Sequence, residues 1–274
     1  MSDSATDLPT ALAGPTANYF ISPHYDDIAL SCGGTARRLA DAGRAPRIAV
    51  VFGSEPDPAA PMHAFAEALH RAWGLDAVTV IASRRAEEEA AAHVLGATTR
   101  VLPFRDAIYR DRHYLGNPQL FGDIAAAEAN VPAAIASALL EPAAPAGARF
   151  YAPLGAGHHV DHQLAFRAAA RLAAGGWDVW FYEDLPYAIN PGALDRRLAE
   201  LAADHPVEPA AAIDVAAVWP AKLAAILAYA SQLETVFDYV GSASTPEAID
   251  ATMRAYADGV GDGVPAERFW RLRR

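Results

Sequence analysis

A single cysteine, Cys32, stands among 274 residues. No intrachain disulfide is available, so stability has to come from a packed core, and a reducing compartment suits the chain. Basic charge is scarce too: 22 Lys and Arg against 33 Asp and Glu give a formal net charge of −11. Without a basic stripe, nucleic acid and anionic membrane are excluded as main partners, and a small molecule is the expected ligand. Long apolar runs are also missing. The Ala-rich stretch from Ile124 to Leu140 is broken by Glu128, Asn130 and Pro132, so no membrane span is expected. Residues 1–18 have neither the basic nor the apolar segment of a secretory signal, and read as a mobile tail on a cytoplasmic protein. What the chain does have is apolar bulk: 53% hydrophobic residues, enough for one large domain over 19–274.

Short apolar runs bounded by Gly, Pro and Asp alternate with longer helical patterns, the rhythm of βαβ units. Strands are expected at Tyr19 to Ser22, Arg47 to Gly53, Ala77 to Ser83, Arg100 to Pro103, Arg149 to Pro153 and Trp177 to Tyr182. Helices are expected at Ala29 to Ala42, Phe65 to Trp73, Arg84 to Leu95, Leu120 to Leu140 and His162 to Ala174. The fold class is α/β, Rossmann-like, a mostly parallel sheet flanked by helices. After Asp184 the pattern loosens into an irregular C-terminal part: helices near Pro191 to Ala203, Pro220 to Val236 and Pro246 to Ala257, and a strand at Ala211 to Val215. No linker or internal repeat divides the chain.

Two clusters follow strands, at the sheet edge where such folds bind ligands. The first is His24-Tyr25-Asp26-Asp27; Pro23 keeps the chain extended into it. An aspartate capping the next helix, with His24 a hydrogen-bonded loop residue, accounts for one acid. It does not account for the second, since adjacent carboxylates repel unless a cation or proton compensates. Gly33-Gly34 lacks the spacing of a dinucleotide loop and reads as close helix-sheet packing, with Cys32 a small buried apolar residue. The second cluster, His158-His159-Val160-Asp161-His162, follows the glycine-rich run Leu154-Gly155-Ala156-Gly157. Three histidines and an acid this close are hard to place as core. Two histidines and one aspartate drawn from the two clusters would hold a divalent metal such as zinc, leaving a second carboxylate as base. His63, His70, His93, His113 and His205 are isolated; His63 and His113 are the nearest to pocket positions.

Through these residues the chain resembles the PIG-L/LmbE-like deacetylase family. That family's His-Pro-Asp-Asp-Glu motif with a following Gly-Gly stands here as His24-Tyr25-Asp26-Asp27-Ile28 with Gly33-Gly34, and its His-Pro-Asp-His as His159-Val160-Asp161-His162. Arg84, Glu87, Ala91, Leu95-Gly96 and Arg105-Asp106 resemble segments that flank the family's substrate pocket. The resemblance implies that His24, Asp27 and His162 bind one zinc per chain, another divalent metal being an alternative, and that Asp26 is the general base. It further implies that His159 stabilises the oxyanion or protonates the leaving amine, that Asp161 tunes His159, and that Arg84 and Asp106 bind sugar hydroxyls. Tyr25, Ile28 and Val160 depart from the motifs without touching a ligand-type position. Some members carry a tyrosine two residues before the second motif, where this chain has Gly157; His158 or Tyr187 are the available replacements, although the run Glu183-Asp184-Leu185-Pro186-Tyr187 reads first as a strand-end turn.

The function expected is zinc-dependent removal of an N-acetyl or other N-acyl group from a small-molecule amino sugar or glycoside. A phosphoester hydrolase, which typically uses a second metal, and a non-catalytic binding protein are the rivals. A homo-oligomer is compatible with the sequence.

Overall fold

The computed structural model describes residues 8–57, 62–74, 79–110 and 112–273. The first strand, β1 (Asn18–Ser22), is buried at every position, and leads into α1 (Asp27–Asp41) and β2 (Pro46–Val50). α2 (Ala64–Ala72), α3 (Val80–Leu95) and β3 (Thr98–Val101) follow. Then come α4 (Asn117–Leu120), α5 (Val131–Leu139), β4 (Arg149–Pro153), α6 (Val160–Ala174) and β5 (Asp178–Tyr182). The last third contains α7 (Ala193–Leu201), β6 (Val207–Asp214), α8 (Trp219–Leu227), α9 (Leu233–Asp238), α10 (Pro246–Val260) and β7 (Ala266–Leu272). One seven-stranded sheet runs β3-β2-β1-β4-β5-β7-β6, parallel from β3 to β5, with β7 antiparallel to both its neighbours.

The expected α/β class, with its mostly parallel sheet and flanking helices, is therefore the observed one. Strand order reverses between β1 and β4, which lie side by side although far apart in sequence. Their carboxyl-terminal loops diverge to opposite faces and open the crevice that holds the two clusters. Apolar side chains from both sheet faces form two large cores: one beneath α1, α3, α8 and α10, the other beneath α5 and α6.

Several expected elements fall differently. Of the expected strand Ala77 to Ser83, residues 77 and 78 lie outside the described set and the rest enter α3. There Val80, Ile81, Arg84, Glu88, Ala91, Ala92 and Leu95 are buried at helical spacing. The expected helix Leu120 to Leu140 is split into α4, a turn at Ala126–Glu128 and α5, with a proline opening both α4 and α5. Pro220 to Val236 is likewise two helices, α8 and α9. The C-terminal third is regular rather than loose: β7, unread in the sequence, pairs with the whole of β6, where Pro209 is tolerated beside a bulge on an edge strand. Within residues 8–17, assigned to a tail, Thr10–Leu12 form a turn whose Leu12 is fully buried, and the Ala11 carbonyl accepts from Arg149.

β7 also reaches into α1. That helix is kinked at Cys32 (φ −144°), which frees the amides beyond the kink. Glu267 of β7 accepts from the N–H groups of Gly34 (2.9 Å) and Thr35 (2.7 Å), and Lys222 of α8 donates to it over 2.6 Å. A Cβ at Gly34 would stand 2.6 Å from Val215, so glycine is what permits this approach. No helix among the described residues is long and apolar enough to cross a membrane.

Candidate active site

The loop after β1 delivers His24, Asp26 and Asp27; the loop after β4 delivers His159, Asp161 and His162. All six are buried. The rings of His24, His159 and His162 lie 4.9 to 5.4 Å apart, centre to centre. The Asp27 carboxylate sits between two of them, Oδ2 3.6 Å from His24 Nδ1 and Oδ1 3.5 Å from His162 Nε2. It also accepts the His24 backbone N–H at 2.7 Å. Asp26 occupies the helix N-cap position but makes no capping hydrogen bond. Its Oδ1 instead faces Arg84 Nη2 at 3.8 Å, so capping does not explain why an acid stands there.

The remaining nitrogen of each of two histidines meets a carboxylate, the arrangement that orients imidazole ligands in metal sites. His24 Nε2 lies 3.0 Å from Asp161 Oδ2, and His162 Nδ1 lies 2.7 Å from Asp184 Oδ1. Asp184 is itself fixed by the N–H groups of Gly155 (2.7 Å) and Ala156 (2.9 Å). Asp161 accepts from the Ala107 N–H at 3.0 Å and from Arg110 Nη1 at 2.6 Å. Arg110 also makes a two-pronged pair with Glu128, and its charge holds Asp161, against the effect of burial, well below the usual carboxylate range.

Among the three histidines at the centre of the site, one buried ring nitrogen has no hydrogen-bond partner: His162 Nε2, aimed at Asp27. Leaving a buried imidazole nitrogen unbonded is costly, and a cation between His24, Asp27 and His162, whose ligand atoms lie within 4.8 Å of one another, would satisfy it. Two nitrogens and a carboxylate suit a divalent metal. A second grouping, His24 with His159 and Asp161, has the same spread. Its Asp161 is already committed to Arg110, Ala107 and His24, and its His159 Nδ1 accepts the Asp161 N–H at 3.2 Å.

Electrostatics agree with an electropositive occupant. Burial opposes charge on His24, yet the carboxylates of Asp106, Asp161 and Asp27 prevail and push it up to about 9. His162 moves upward as well, Asp27 and Asp184 outweighing burial. Burial and the neighbouring His24 charge drive His159 well below its ordinary value, so it is a neutral imidazole.

Both expected substrate contacts reach the site. Arg84 is packed between the rings of Tyr25 (5.6 Å) and Trp73 (5.3 Å), with its Nε buried and unpartnered. Asp106 Oδ2 stands 3.8 Å from His24 Nε2. The motif departures go into structure: Tyr25 donates to the Gly53 carbonyl (2.6 Å), while Ile28 and Val160 are core residues. The Asp161 carboxylate hydrogen-bonds His24, while His159 receives the Asp161 backbone N–H and feels its charge, which opposes the lowering of the His159 imidazole. His158 turns outward to Glu200 (3.2 Å), and His63 caps α2. Tyr187 packs 5.3 Å from the His162 ring. A Cβ on Gly157, where φ is +86°, would stand 2.5 Å from the Tyr187 side chain, so the glycine makes room for that tyrosine. Asp184, Arg110, Phe121 and Tyr239 went unread as site residues; only Asp184, an acid at a parallel strand's carboxyl end, carried a usable signal.

An α/β sheet with a buried His/Asp group that could hold a divalent metal at its switch point is the class defined by fold and geometry. The chain belongs to the PIG-L family, GlcNAc-PI de-N-acetylase, whose model matches residues 19–173. It is 32% identical over 187 residues to a 2′-N-acetylparomamine deacetylase of Niallia circulans, a match covering 61% of this chain and 66% of that protein, just under two thirds. To a protein of the same description from Streptomyces fradiae it is 34% identical over 224 residues, 78% of this chain and 72% of the relative. Among solved structures, the A40926 pseudoaglycone deacetylase Dbv21 superposes with a TM-score of 0.71 at 25% identity, over 95% of this chain and 98% of that one.

Proposed function

We propose that the protein is a zinc-dependent deacetylase that removes the acetyl group from the amine of an amino sugar within a glycosylated metabolite. The observation that carries this is the orphaned His162 Nε2 facing Asp27, with the carboxylate of Asp26, free of any capping role, alongside. His24, Asp27 and His162 would hold the metal, which supplies Lewis acidity toward the amide carbonyl and the attacking water. Asp26, whose Oδ1 faces Arg84 Nη2 at 3.8 Å, takes the proton of that water as it adds to the carbonyl carbon. His159 accepts the Asp161 N–H at Nδ1, so its proton resides on Nε2, from which it donates to the oxyanion that develops. Asp26 then returns its proton to the leaving nitrogen, and acetate and a free amine result. Arg84 and Asp106 bind sugar hydroxyls on the same flank.

The relatives support this substrate class, since the two 2′-N-acetylparomamine deacetylases and the pseudoaglycone deacetylase are named for glycosylated or amino-sugar substrates. The test is release of acetate and free amine from a panel of N-acetylated amino sugars and glycosides, before and after chelation and after zinc is restored. Zinc-dependent release is expected; turnover indifferent to the chelator would overturn the metal-assisted reading.

A further inference from the structure

Beside the metal centre, and separated from it by one ring, lies a second cavity of about 120 Å³, well above the ~10–15 Å³ that a single water needs. Tyr187 is the dividing ring, 5.3 Å from His162 on one side and 5.2 Å from Tyr239 on the other. Tyr239 lines the cavity and is 44% exposed, unusual for a large aromatic side chain in this protein. It is nevertheless held in place, stacked on Phe121 at 6.0 Å and edge-on to Tyr187. Gln163 fixes the Phe121 loop from below, its Nε2 donating to the carbonyls of Gly122 (2.8 Å) and His158 (2.7 Å).

Apart from Gly155, Gly157 and Ala193, the rest of the lining is polar. Asn190, Arg196, Glu200 and His158 surround the space. The Asn190 side-chain amide makes no hydrogen bond among the described residues, and His158 is held at φ +66°, a left-handed conformation that non-glycine residues adopt at a cost and that clusters at functional sites. A fixed aromatic face ringed by planar amide, guanidinium and carboxylate groups is chemically matched to a pyranose ring. Its C–H face packs on an aromatic ring, and its equatorial hydroxyl or amino groups hydrogen-bond in the plane.

We propose that this cavity is a subsite for a second sugar ring of the same substrate, adjoining the ring whose amine is deacylated. Tyr239 packs against that ring's C–H face, while Asn190, Arg196 and Glu200 meet its hydroxyl and amino groups. The proposal rests on the deacetylase reading for the identity of the first ring, whereas two-ring binding can be measured without turnover.

The test is calorimetric binding of glucosamine and of its β-1,4 dimer chitobiose, both free amines, to the metal-loaded protein. The dimer is expected to bind roughly tenfold more tightly than the monomer, and Tyr239→Ala should bring that ratio to near unity. Asn190→Ala, which replaces a half-buried loop residue, makes the same comparison independently, with glucosamine affinity as the internal reference in each variant. Equal affinity of monomer and dimer for the wild-type protein, or a ratio unchanged in both variants, overturns the subsite. Acetate release from the N-acetylated counterparts is read separately: its absence refutes the deacetylase reading and leaves the binding ratio to decide the subsite.

Discussion

Arg110 and Asp161 are joined Nη1 to Oδ1 at 2.6 Å, and the other oxygen of Asp161 meets His24 at 3.0 Å. An arginine outside both motifs thus sets the orientation of a histidine inside one. Arg110→Gln should weaken metal binding by about 10- to 100-fold, the range for lost outer contacts in metal sites, while Arg110→Lys recovers part of it. Metal titration of the three proteins checks this, and equal affinities would show that Asp161 needs no guanidinium to hold His24.

Asp26 and Asp27 should separate cleanly. Asp26→Asn keeps its place next to Arg84 but cannot accept a proton, so it should retain one metal per chain while kcat falls about 10²- to 10⁴-fold. His162→Ala should instead lose the metal. Metal content and turnover measured together distinguish the two, and a fully active Asp26→Asn variant would remove the base.

Metal uptake should release protons. In the ion-free protein His24 is raised to about 9 and His162 is raised as well, so at neutral pH an arriving cation must displace a proton from His24. Affinity should therefore climb as pH rises toward about 9. Calorimetry in buffers of different ionisation enthalpy counts the protons; a count of zero at pH 7 contradicts the raised value.

Glu88 predicts a pH dependence of stability. Fully buried, it accepts from Tyr229 (2.7 Å) and Thr99 (3.2 Å), and burial lifts it from 4.5 to about 8. The folded state binds this proton more tightly than the unfolded state. Its contribution is present in full below pH 4.5 and is lost as pH rises through about 8, on the order of 5 kcal/mol in all. Glu88→Gln should flatten that decline in melts between pH 5 and 9. A variant whose melting curve runs parallel to the wild type across the range would clear Glu88 of the effect.

What the sequence revealed follows the range of the interactions involved. His24, Asp27 and His162 were legible because each sits at a strand-to-helix turn with its acid or histidine neighbours beside it in sequence. Arg110 and Tyr239 were not, since nothing local distinguishes an arginine that reaches Asp161 or a tyrosine stacked on Phe121. Asp184 lay within a run read as a turn; its function depends on His162 arriving from another strand. The β-branched run through Val80 and Ile81 is locally indistinguishable from a strand, and only burial of a helical stripe decides it. β7 escaped notice because Glu267, Arg268 and Arg271 interrupt its apolar residues, and two of those charges are spent on α1 and Glu208.

The orphaned nitrogen of His162 also bears on how the chain survives without disulfides. The two loops that would share the metal carry His24 and Asp161, 137 positions apart, and no sulfur links any part of the fold. An ion bound there is a coordinate cross-link closing a very long loop, of the kind that restricts an unfolded chain most. It would bind the assembled loops far better than the separated ones, so loading should raise the melting temperature in proportion to the logarithm of free metal. The centre would then serve as a removable staple.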